Sequence, residues 1–349
     1  MFRGCDEALA LTELLPYNLL IFAMATMVVA VGGVLLTKRA EQIAKITGLG
    51  QLLTGAILIG AVTSLSGSIL SVTAAWEGNA SLAVTNALGG IAVQTTFLAI
   101  ADMAYRRANL EYAAASEPNM LQGVILIGLL ALPVVGMALP GLGGFGLHPV
   151  SVLIVVGYLL GLRLTRQAER TPMWQPRLTT ESLEEQVPDQ SKPVGVLRTW
   201  TDFGVLAALV AGSGWVLAQV APAVSAGVGL DQSLMGGLFT ATATSLPELV
   251  VAVTAVRRGA LALAVGDILG GNAYDVLILA ASDVAYRDGS IYQAIASREV
   301  AWVALSIVLV SVLLLGLLRR HKHGFGNLGF ETVLMIGLYL AGVTAIALG

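Results

Sequence analysis

Two things are scarce in this sequence, cysteine and charge. Cys5 is the only cysteine among 349 residues, which excludes an intramolecular disulfide framework and a zinc site built from several thiolates. Charged residues make up 12% of the chain, about half of the roughly 25% that soluble domains carry. With 56% hydrophobic residues and a mean hydropathy of +0.82, the sequence predicts an integral membrane protein.

Motifs of enzymatic chemistry are also missing. There is no nucleophile–base pair, phosphate-binding loop or zinc-ligand spacing, and no basic domain that would bind nucleic acid. We therefore expect neither an enzyme nor a nucleic-acid-binding protein, and we expect no cofactor. The expected partners are inorganic cations and the lipid bilayer, and the sequence points to no obligate protein partner.

Ten apolar segments are long enough to cross a bilayer. The first one is too long for the core of a signal peptide and follows acidic residues, so we predict that it is a retained span. The only long polar stretch, 166–197, is rich in proline and glutamate, and it predicts a linker between five spans and five spans. The predicted spans are 14–37, 51–76, 80–104, 119–140, 147–165, 198–223, 232–256, 260–285, 299–318 and 327–348.

The basic residues predict the orientation. If successive loops alternate sides, one side holds 16 of the 19 Lys and Arg and the other holds Arg3, Arg287 and Arg298. Because loops rich in Lys and Arg remain in the cytoplasm, the linker and the turn at Arg257–Arg258 are predicted to be cytoplasmic and both termini external. We expect the plasma (inner) membrane to be the location.

The two halves of the chain are related by an offset of 181 residues. Thr63-Ser64-Leu65 aligns with Thr244-Ser245-Leu246, and Gly89-Gly90 aligns with Gly270-Gly271, without a gap. Five spans is an odd number, so the second copy would cross the membrane upside down relative to the first. The predicted fold is an all-α membrane protein of ten transmembrane helices, arranged as two inverted five-helix repeats with broken helices at the midplane. The predicted units are a first repeat at 14–165 with its motif at 51–105, a linker at 166–197, and a second repeat at 198–349 with its motif at 232–286.

Two acids in the second repeat lie at predicted hydrocarbon depth. Glu248 ends the stretch TSLPE and Asp275 ends GGNAYD. Acids at such depth are costly and are functional candidates. No Lys or Arg falls within a predicted membrane core, so these carboxyls must be protonated, hydrogen-bonded or neutralised by a bound ion. Pro247 removes a backbone donor next to Glu248, and helices interrupted in this way expose carbonyls at membrane depth only where they line a site. The stretch therefore predicts a cation site.

TSLPE, followed by a small-residue helix ending in GGNAYD, resembles the second alpha repeat of sodium/calcium exchangers, in the calcium:cation antiporter superfamily. The resemblance covers the whole chain and implies a ligand set for the exchanged cations. In the second half this set is Thr244, Ser245, Glu248 and Asp275. The resemblance also implies that the first and sixth spans, with their continuations at 39–48 and 221–231, act as a sliding gate.

The first repeat departs from the family pattern. Gly67 stands where a glutamate is expected and Gln94 where an asparagine or aspartate is expected, while the serine of the family's GSN is glycine in both halves, at Gly90 and Gly271. Two carboxylates are therefore expected where calcium-transporting relatives usually have at least three acids. From this half, the side chains that can offer oxygens to the site are Thr63, Ser64 and Gln94.

Several of these residues have simpler interpretations. The Thr and Ser hydroxyls commonly bond to the preceding helical turn, and Gln94 is balanced between ligand and interhelical bond. We interpret Asp102 and Asp283 as caps or mouth residues, and Asp267 as a possible entrance or supporting acid. Straight helices would separate Glu248 and Asp275 in depth by roughly 10 Å, so the site requires a break, tilt or extra length.

The function that the resemblance implies is secondary active cation antiport. The protein is expected to exchange Ca²⁺ or another cation for Na⁺ or H⁺ by alternating access. Two alternatives stay open: a monovalent cation/proton exchanger that has lost calcium transport, and a non-transporting membrane sensor or assembly protein of the same fold. The buried acids Glu248 and Asp275 count against the last alternative, because unused buried charges are costly.

Overall fold

A computed structural model describes residues 3–47, 60–105, 109–139, 147–174, 195–320 and 329–349, and every regular element within them is helical. Eight of these helices are long and apolar enough to cross a membrane, and one bent pair makes a ninth candidate. These nine match nine of the ten predicted spans. The remaining one, 51–76, lies partly outside the described residues, and its described part runs from Gly60 to Trp76.

Two long helices pack against each other along one side of the molecule. Helix α1 spans Arg3–Thr47 and helix α8 spans Val196–Val228. Leu36 and Ala40 of α1 meet Val210 of α8 in a small apolar cluster, and Arg39 forms an ion pair with Asp202 at 3.0 Å. Helix α1 is longer than the predicted first span, 14–37, because its polar continuation stays helical.

The centre of the molecule is built from two helices of 25 residues. Helix α4 spans Ala80–Ala104 and helix α12 spans Leu261–Ala285, so both of their ends are separated by the offset of 181 found in the sequence. Both are rich in Ala and Gly, which lets helix backbones approach closely in a membrane. At Gly89 of α4, a Cβ atom would overlap the backbone of Gly237, which lies in a neighbouring π-helical segment.

Two interrupted helices face this central pair. Helix α2 (Gly60–Thr63) breaks at Ser64 before α3 (Leu65–Trp76), and the second interruption is at Ser245, where the helix axis bends by 47°. The break at Ser245 precedes Pro247, which occupies the first turn of the following helix, where its missing donor costs least. The second interrupted helix consists of α9 (Gln232–Leu234), a π-helical segment (Met235–Thr240), α10 (Ala241–Thr244) and α11 (Leu246–Arg257).

The remaining helices surround the central pair, with α6 and α7 beside α12, and α14 and α15 beside α4. The predicted linker, 166–197, is too long at both ends, since α7 runs through Arg170 and α8 begins at Val196; residues 175–194 lie outside the described residues. The bounds are α5 Leu110–Ala114, α6 Glu117–Ala138, α7 Pro149–Arg170, α13 Ile291–Ala294, α14 Ser297–Arg319 and α15 Phe330–Leu348.

Asp102 near the end of α4 and Asp283 near the end of α12 form the same pattern of hydrogen bonds to neighbouring helices. Asp102 accepts hydrogen bonds from the Leu110 amide (2.7 Å) and the Thr332 hydroxyl (2.6 Å). Asp283 accepts from the Ile291 amide (2.9 Å) and the Ser151 hydroxyl (2.8 Å). Each carboxylate thus caps a short helix that begins eight residues further along the chain, α5 or α13. Each also bonds to the first turn of a long helix, α15 or α7. The interpretation of both acids as caps is confirmed.

Candidate cation site

A small cavity lies where the two helix breaks face α4 and α12. Six of the seven predicted ligand residues line it; the seventh, Thr63, lies next to the cavity but does not line it. The six are Ser64, Gln94, Thr244, Ser245, Glu248 and Asp275. The structure therefore brings residues from both halves of the chain to one point, although their role as ligands stays a prediction.

Glu248 and Asp275 meet because the helix carrying Glu248 is bent. The helix bends by 47° at Ser245, and Glu248 lies in the first turn of α11. Both carboxylates line the same cavity, so the separation expected for straight helices does not keep them apart. The two carboxylates are 4% and 3% exposed, and they are close enough to repel each other. Such a pair of buried negative charges attracts a cation.

Oxygen atoms without hydrogen-bond partners gather around this cavity. They include both carboxylate oxygens of Glu248, Oδ1 of Asp275, Oε1 of Gln94 and the hydroxyl of Ser64. Ser64 is a close neighbour of the Asp275 carboxylate, but its geometry leaves the hydroxyl without a hydrogen bond. Buried polar atoms are almost always paired, so five unpaired oxygens at one point indicate a site for a hard cation, which prefers oxygen ligands.

Gln94 forms the interhelical bond that was one of its two expected roles, and its role as a ligand stays a prediction. Its amide nitrogen donates to Oδ2 of Asp275 at 2.8 Å and to the hydroxyl of Ser245 at 3.1 Å, which links α4 to the second half. Its amide oxygen has no partner and remains available to an ion. Gln94 and Asp275 are separated by 181 residues, so this bond joins two repeat-related positions.

The threonine hydroxyls bond to the preceding helical turn. Thr63 donates to the Gly60 carbonyl at 3.1 Å and Thr244 donates to the Thr240 carbonyl at 2.9 Å. The simpler interpretation, that these hydroxyls donate to the preceding helical turn, is thus correct. It does not exclude a ligand role, because a hydroxyl that donates its hydrogen keeps its lone pairs for a cation.

Sequence reasoning missed Asn86, which also lines the cavity. Its amide nitrogen donates to the Gly67 carbonyl (3.3 Å) and to the Ser71 hydroxyl (2.9 Å), while its oxygen accepts from Thr240 (2.8 Å). Asn86 is the repeat partner of Asp267, so the offset of 181 was the signal that could have found it. The residue fixes the first helix break against the π-helical segment.

The glycines that replace family ligands are not forced by close packing. A Cβ atom at Gly67 would lie 3.5 Å or more from its neighbours, Thr244 and Asn86, and one at Gly90 would lie at least 3.7 Å from the nearest atom. At Gly271 the nearest atom would be Oε1 of Gln94, at 3.8 Å. These positions thus have room for a side chain, and a glycine at each offers the cavity no side-chain oxygen.

Asp267 does not line the cavity but interacts with one of its acids. Its carboxylate interacts electrostatically with Glu41 of α1 and with Glu248, and its Oδ1 atom has no hydrogen-bond partner. This position, between an acid of α1 and an acid of the cavity, agrees with an entrance acid, which stays a prediction. Among the described residues, no three His, Cys, Asp or Glu side chains have the spacing of a metal site, so the candidate site has two carboxylates.

Helices broken at membrane depth around a buried ion site define a class of protein, the secondary transporters. The family model described as "Sodium/calcium exchanger protein" matches residues 17–141 and 199–348. The chain therefore belongs to the sodium/calcium exchanger family, and it is a cation antiporter.

Relatives and solved structures agree with this family. A putative antiporter, CaxA of Alkalimonas amylolytica, is 28% identical over 317 residues, covering 85% of this chain and 92% of the relative. The inner membrane protein YrbG of Escherichia coli (strain K12) is 27% identical, covering 83% and 88%. The fold is similar to that of the sodium-calcium exchanger NCX_Mj (TM-score 0.60, 16% identity, 95% and 99% covered). It is also similar to that of the H⁺/Ca²⁺ exchanger CAX (TM-score 0.62, 14% identity, 99% and 95% covered).

Proposed function

We propose that this antiporter exchanges one divalent cation, with Ca²⁺ the first candidate, for two protons or two Na⁺ ions. The proposal depends on the charge of the cavity. Among the described residues that line it, Glu248 and Asp275 are the acids and there is no Lys or Arg. One divalent cation or two monovalent ions neutralise two carboxylates, so each loaded form crosses the low-dielectric core without net charge, where charge is most costly.

The observation that carries the proposal is the set of unpaired oxygens around the cavity. Both oxygens of Glu248 and single oxygens of Asp275, Gln94 and Ser64 lack partners. Their number approaches the six to eight oxygens that Ca²⁺ prefers, and backbone carbonyls or water would complete the shell. NCX_Mj and CAX, by their names a sodium-calcium and an H⁺/Ca²⁺ exchanger, support the choice of ions.

The proposed mechanism is alternating access, in which α1 and α8 slide across the central helices. These two helices pack along each other, and α1 crosses the second break where Gly33 meets Pro247 so closely that a Cβ atom would overlap the proline ring. We propose that the two halves are inverted repeats. We also propose that the protein lies in the inner membrane, with both termini external and the linker cytoplasmic.

Ion flux in proteoliposomes tests the proposed exchange. Gradients of Ca²⁺, Na⁺ and pH are imposed one at a time, and uptake is followed in each case. We expect Ca²⁺ uptake driven by an opposing proton or Na⁺ gradient, and no uptake by Glu248→Gln at the same protein density. Proton-coupled Na⁺ flux with no Ca²⁺ flux would instead show the monovalent exchanger and overturn the choice of Ca²⁺.

A clamped membrane potential tests the charge balance separately. If two carboxylates are neutralised in each loaded form, setting the potential with K⁺ and valinomycin leaves the initial rate of Ca²⁺ uptake unchanged. A rate that rises or falls steadily with potential would exclude neutral exchange, because one uncompensated charge is worth about 2.3 kcal/mol per 100 mV.

A further inference from the structure

A second group of buried acids lies at the C-terminal end of α4, near Ala104. Asp102, Glu111 and Glu331 are each 0% exposed. Asp102 is fully used as a cap, and Oε1 of Glu331 accepts a hydrogen bond from the Asn109 amide. Both oxygens of Glu111 and Oε2 of Glu331 have no partner. Three carboxyls are therefore buried together with three oxygens left unbonded.

Glu111 and Glu331 converge on the same point of α14. A Cβ atom added to Gly316 would lie 2.9 Å from Cγ of Glu331 and 3.0 Å from Cγ of Glu111. Glycine at 316 is thus what makes room for both side chains. Asp102 and Glu331 both interact electrostatically with Glu111, so an ionised Glu111 would be repelled from two sides.

The cap formed by Asp102 does not require these two glutamates. Asp283 forms the same cap at the other end of the molecule, and the residues 181 positions away from Glu111 and Glu331 are Tyr292 and Val150. There, the Tyr292 hydroxyl pairs with Ser151 at 3.1 Å. The two caps match, but Glu111 and Glu331 are present only beside the cap formed by Asp102. This difference points to a ligand specific to that end.

Two described arginines near this group, Arg319 and Arg320, interact with other residues. Arg320, at the end of α14, donates to the Tyr112 carbonyl at 3.4 Å, and Arg319 lies over the ring of Phe330. Helix α12 also packs on α5, but its acid Asp275 lines the transport cavity and its acid Asp267 interacts with Glu248 of that cavity. In the part of the chain that the structure describes, only Asp102 and Glu331 interact electrostatically with Glu111.

We propose that Glu111 binds a proton, with Asp102 and Glu331 as its charged neighbours, and that this forms a proton-binding site separate from the transport cavity. A proton needs no coordination shell, and these three carboxyls lack the spacing of a metal site. By the proposed topology this end of the bundle faces the cytoplasm, so the site senses cytoplasmic pH.

Burial raises the pKa of Glu111 well above its ordinary value, and the nearby Asp102 and Glu331 raise it further. Helix α5 lies in the connection between α4 and α6, outside the candidate spans. When the pH rises through this pKa, Glu111 becomes charged next to Glu331. Asp102 is bonded to the first residue of α5 and to Thr332 of α15, so repulsion between these helices acts on the end of α4, the helix that carries Gln94.

Unfolding and infrared measurements test the site without any transport assay. Because the pKa of Glu111 is raised in the folded state, the folded protein binds more protons, and stability falls as the pH rises above the ordinary glutamate pKa of about 4.3. Glu111→Gln removes this part of the fall. We expect the Tm of the variant in detergent to exceed that of the wild type by an amount that grows with pH.

The infrared spectrum identifies the proton directly. At neutral pH we expect Glu111→Gln to remove one protonated-carboxyl component from the spectrum of the full-length protein. Tyr292→Phe, at the repeat-related position, is the matched control and should retain it. In Glu331→Gln, the component should disappear at a lower pH than in the wild type. This variant serves as a second test if Glu111→Gln does not fold.

Three outcomes would overturn the proposal. The first is an infrared spectrum in which Glu111→Gln leaves every protonated-carboxyl component unchanged. The second is a difference in Tm between the wild type and Glu111→Gln that stays constant across pH. The third is loss of the Glu111 component on addition of Ca²⁺ at fixed pH, which would identify a metal site. None of these results depends on transport activity, so the site can fail while the antiport proposal stands.

Discussion

The two acids of the cavity differ in how their charge is compensated. Asp275 accepts a hydrogen bond from Gln94 and has Ser64 as a close neighbour. Glu248 has Thr63 as a close neighbour, but neither of its oxygens accepts a hydrogen bond. A buried carboxylate without donors depends most strongly on a bound cation or proton. Glu248 is therefore the residue whose charge is most closely coupled to occupation of the site.

Replacing Glu248 with Gln should abolish exchange while the protein remains folded and inserted. The amide keeps the shape of the side chain, but it removes a charge and a proton-binding group from a position that is 4% exposed. Ca²⁺ uptake in proteoliposomes measures the effect, and Glu77→Gln, at an exposed turn, is the control. Uptake at the wild-type rate in Glu248→Gln would remove Glu248 from the transport site.

Replacing Gly67 with Glu should raise the affinity for Ca²⁺. A Cβ atom at this position clears its neighbours by 3.5 Å or more, so the side chain can enter the cavity at the position that is repeat-related to Glu248. The Cβ atom itself therefore requires no displacement of its neighbours. A third carboxylate adds oxygen ligands and attraction in a low-dielectric site.

Calorimetric titration with Ca²⁺ checks this expectation, and Gly67→Gln is the matched control, with nearly the same shape and no charge. We expect the Kd for Ca²⁺ to fall in Gly67→Glu and not in Gly67→Gln. Identical Kd values in a folded Gly67→Glu and the wild type would count against a site formed by both halves. Thr63, Ser64 and Gln94 would then leave the ligand set.

At the scale of helices, the sequence predicts the breaks but not their exact place. TSLPE indicates an interruption next to Glu248, and Pro247 is its most visible residue. The structure bends at Ser245 instead, because proline fits the first turn of the next helix. The matching break at Ser64 has no proline nearby, and only its repeat relation to Ser245 makes it predictable.

A substitution at a close helix contact tests how the interrupted helix is held. Gly89→Ala should destabilise the protein by about 1–3 kcal/mol or more, as overpacking does, because the added methyl would overlap the backbone of Gly237. Gly128→Ala is the control, since a Cβ atom there has no neighbour within 4 Å. The Tm in detergent should fall for Gly89→Ala and stay level or rise for Gly128→Ala; equal values would mean that α4 can move away at no cost.

At the scale of the whole molecule, composition predicted a membrane protein. Span counting predicted the eight candidate spanning helices and the bent pair among the described residues. The repeat and the family resemblance predicted six of the residues that line the cavity but not Asn86. The group of Glu111 and Glu331 was not predictable, because 220 positions separate the two residues and neither belongs to a motif found in the sequence. Only the packing of α5 and α15 against α14 brings them together.

The orientation of the molecule is tested by reporters. A reporter inserted in the predicted linker, between positions 175 and 194, should be active in the cytoplasm, and one fused after Gly349 should be active outside, because 16 of 19 basic residues fall on the predicted cytoplasmic side. A reporter at the turn after Arg257 serves as an internal control and should match the linker. Linker and C-terminal reporters on the same side would rule out five spans in the second half.

The hydrogen bond from Gln94 to Asp275 bears on how tightly the two ion movements are coupled. An antiporter avoids slippage only if its empty carrier cannot reorient, and two bare carboxylates in a dry core would enforce this rule. Here the Gln94 amide donates to one of them. We therefore expect the barrier against empty return to depend mainly on Glu248, whose oxygens accept no hydrogen bond, so that strict coupling depends on one charge where a symmetric pair of acids would supply two.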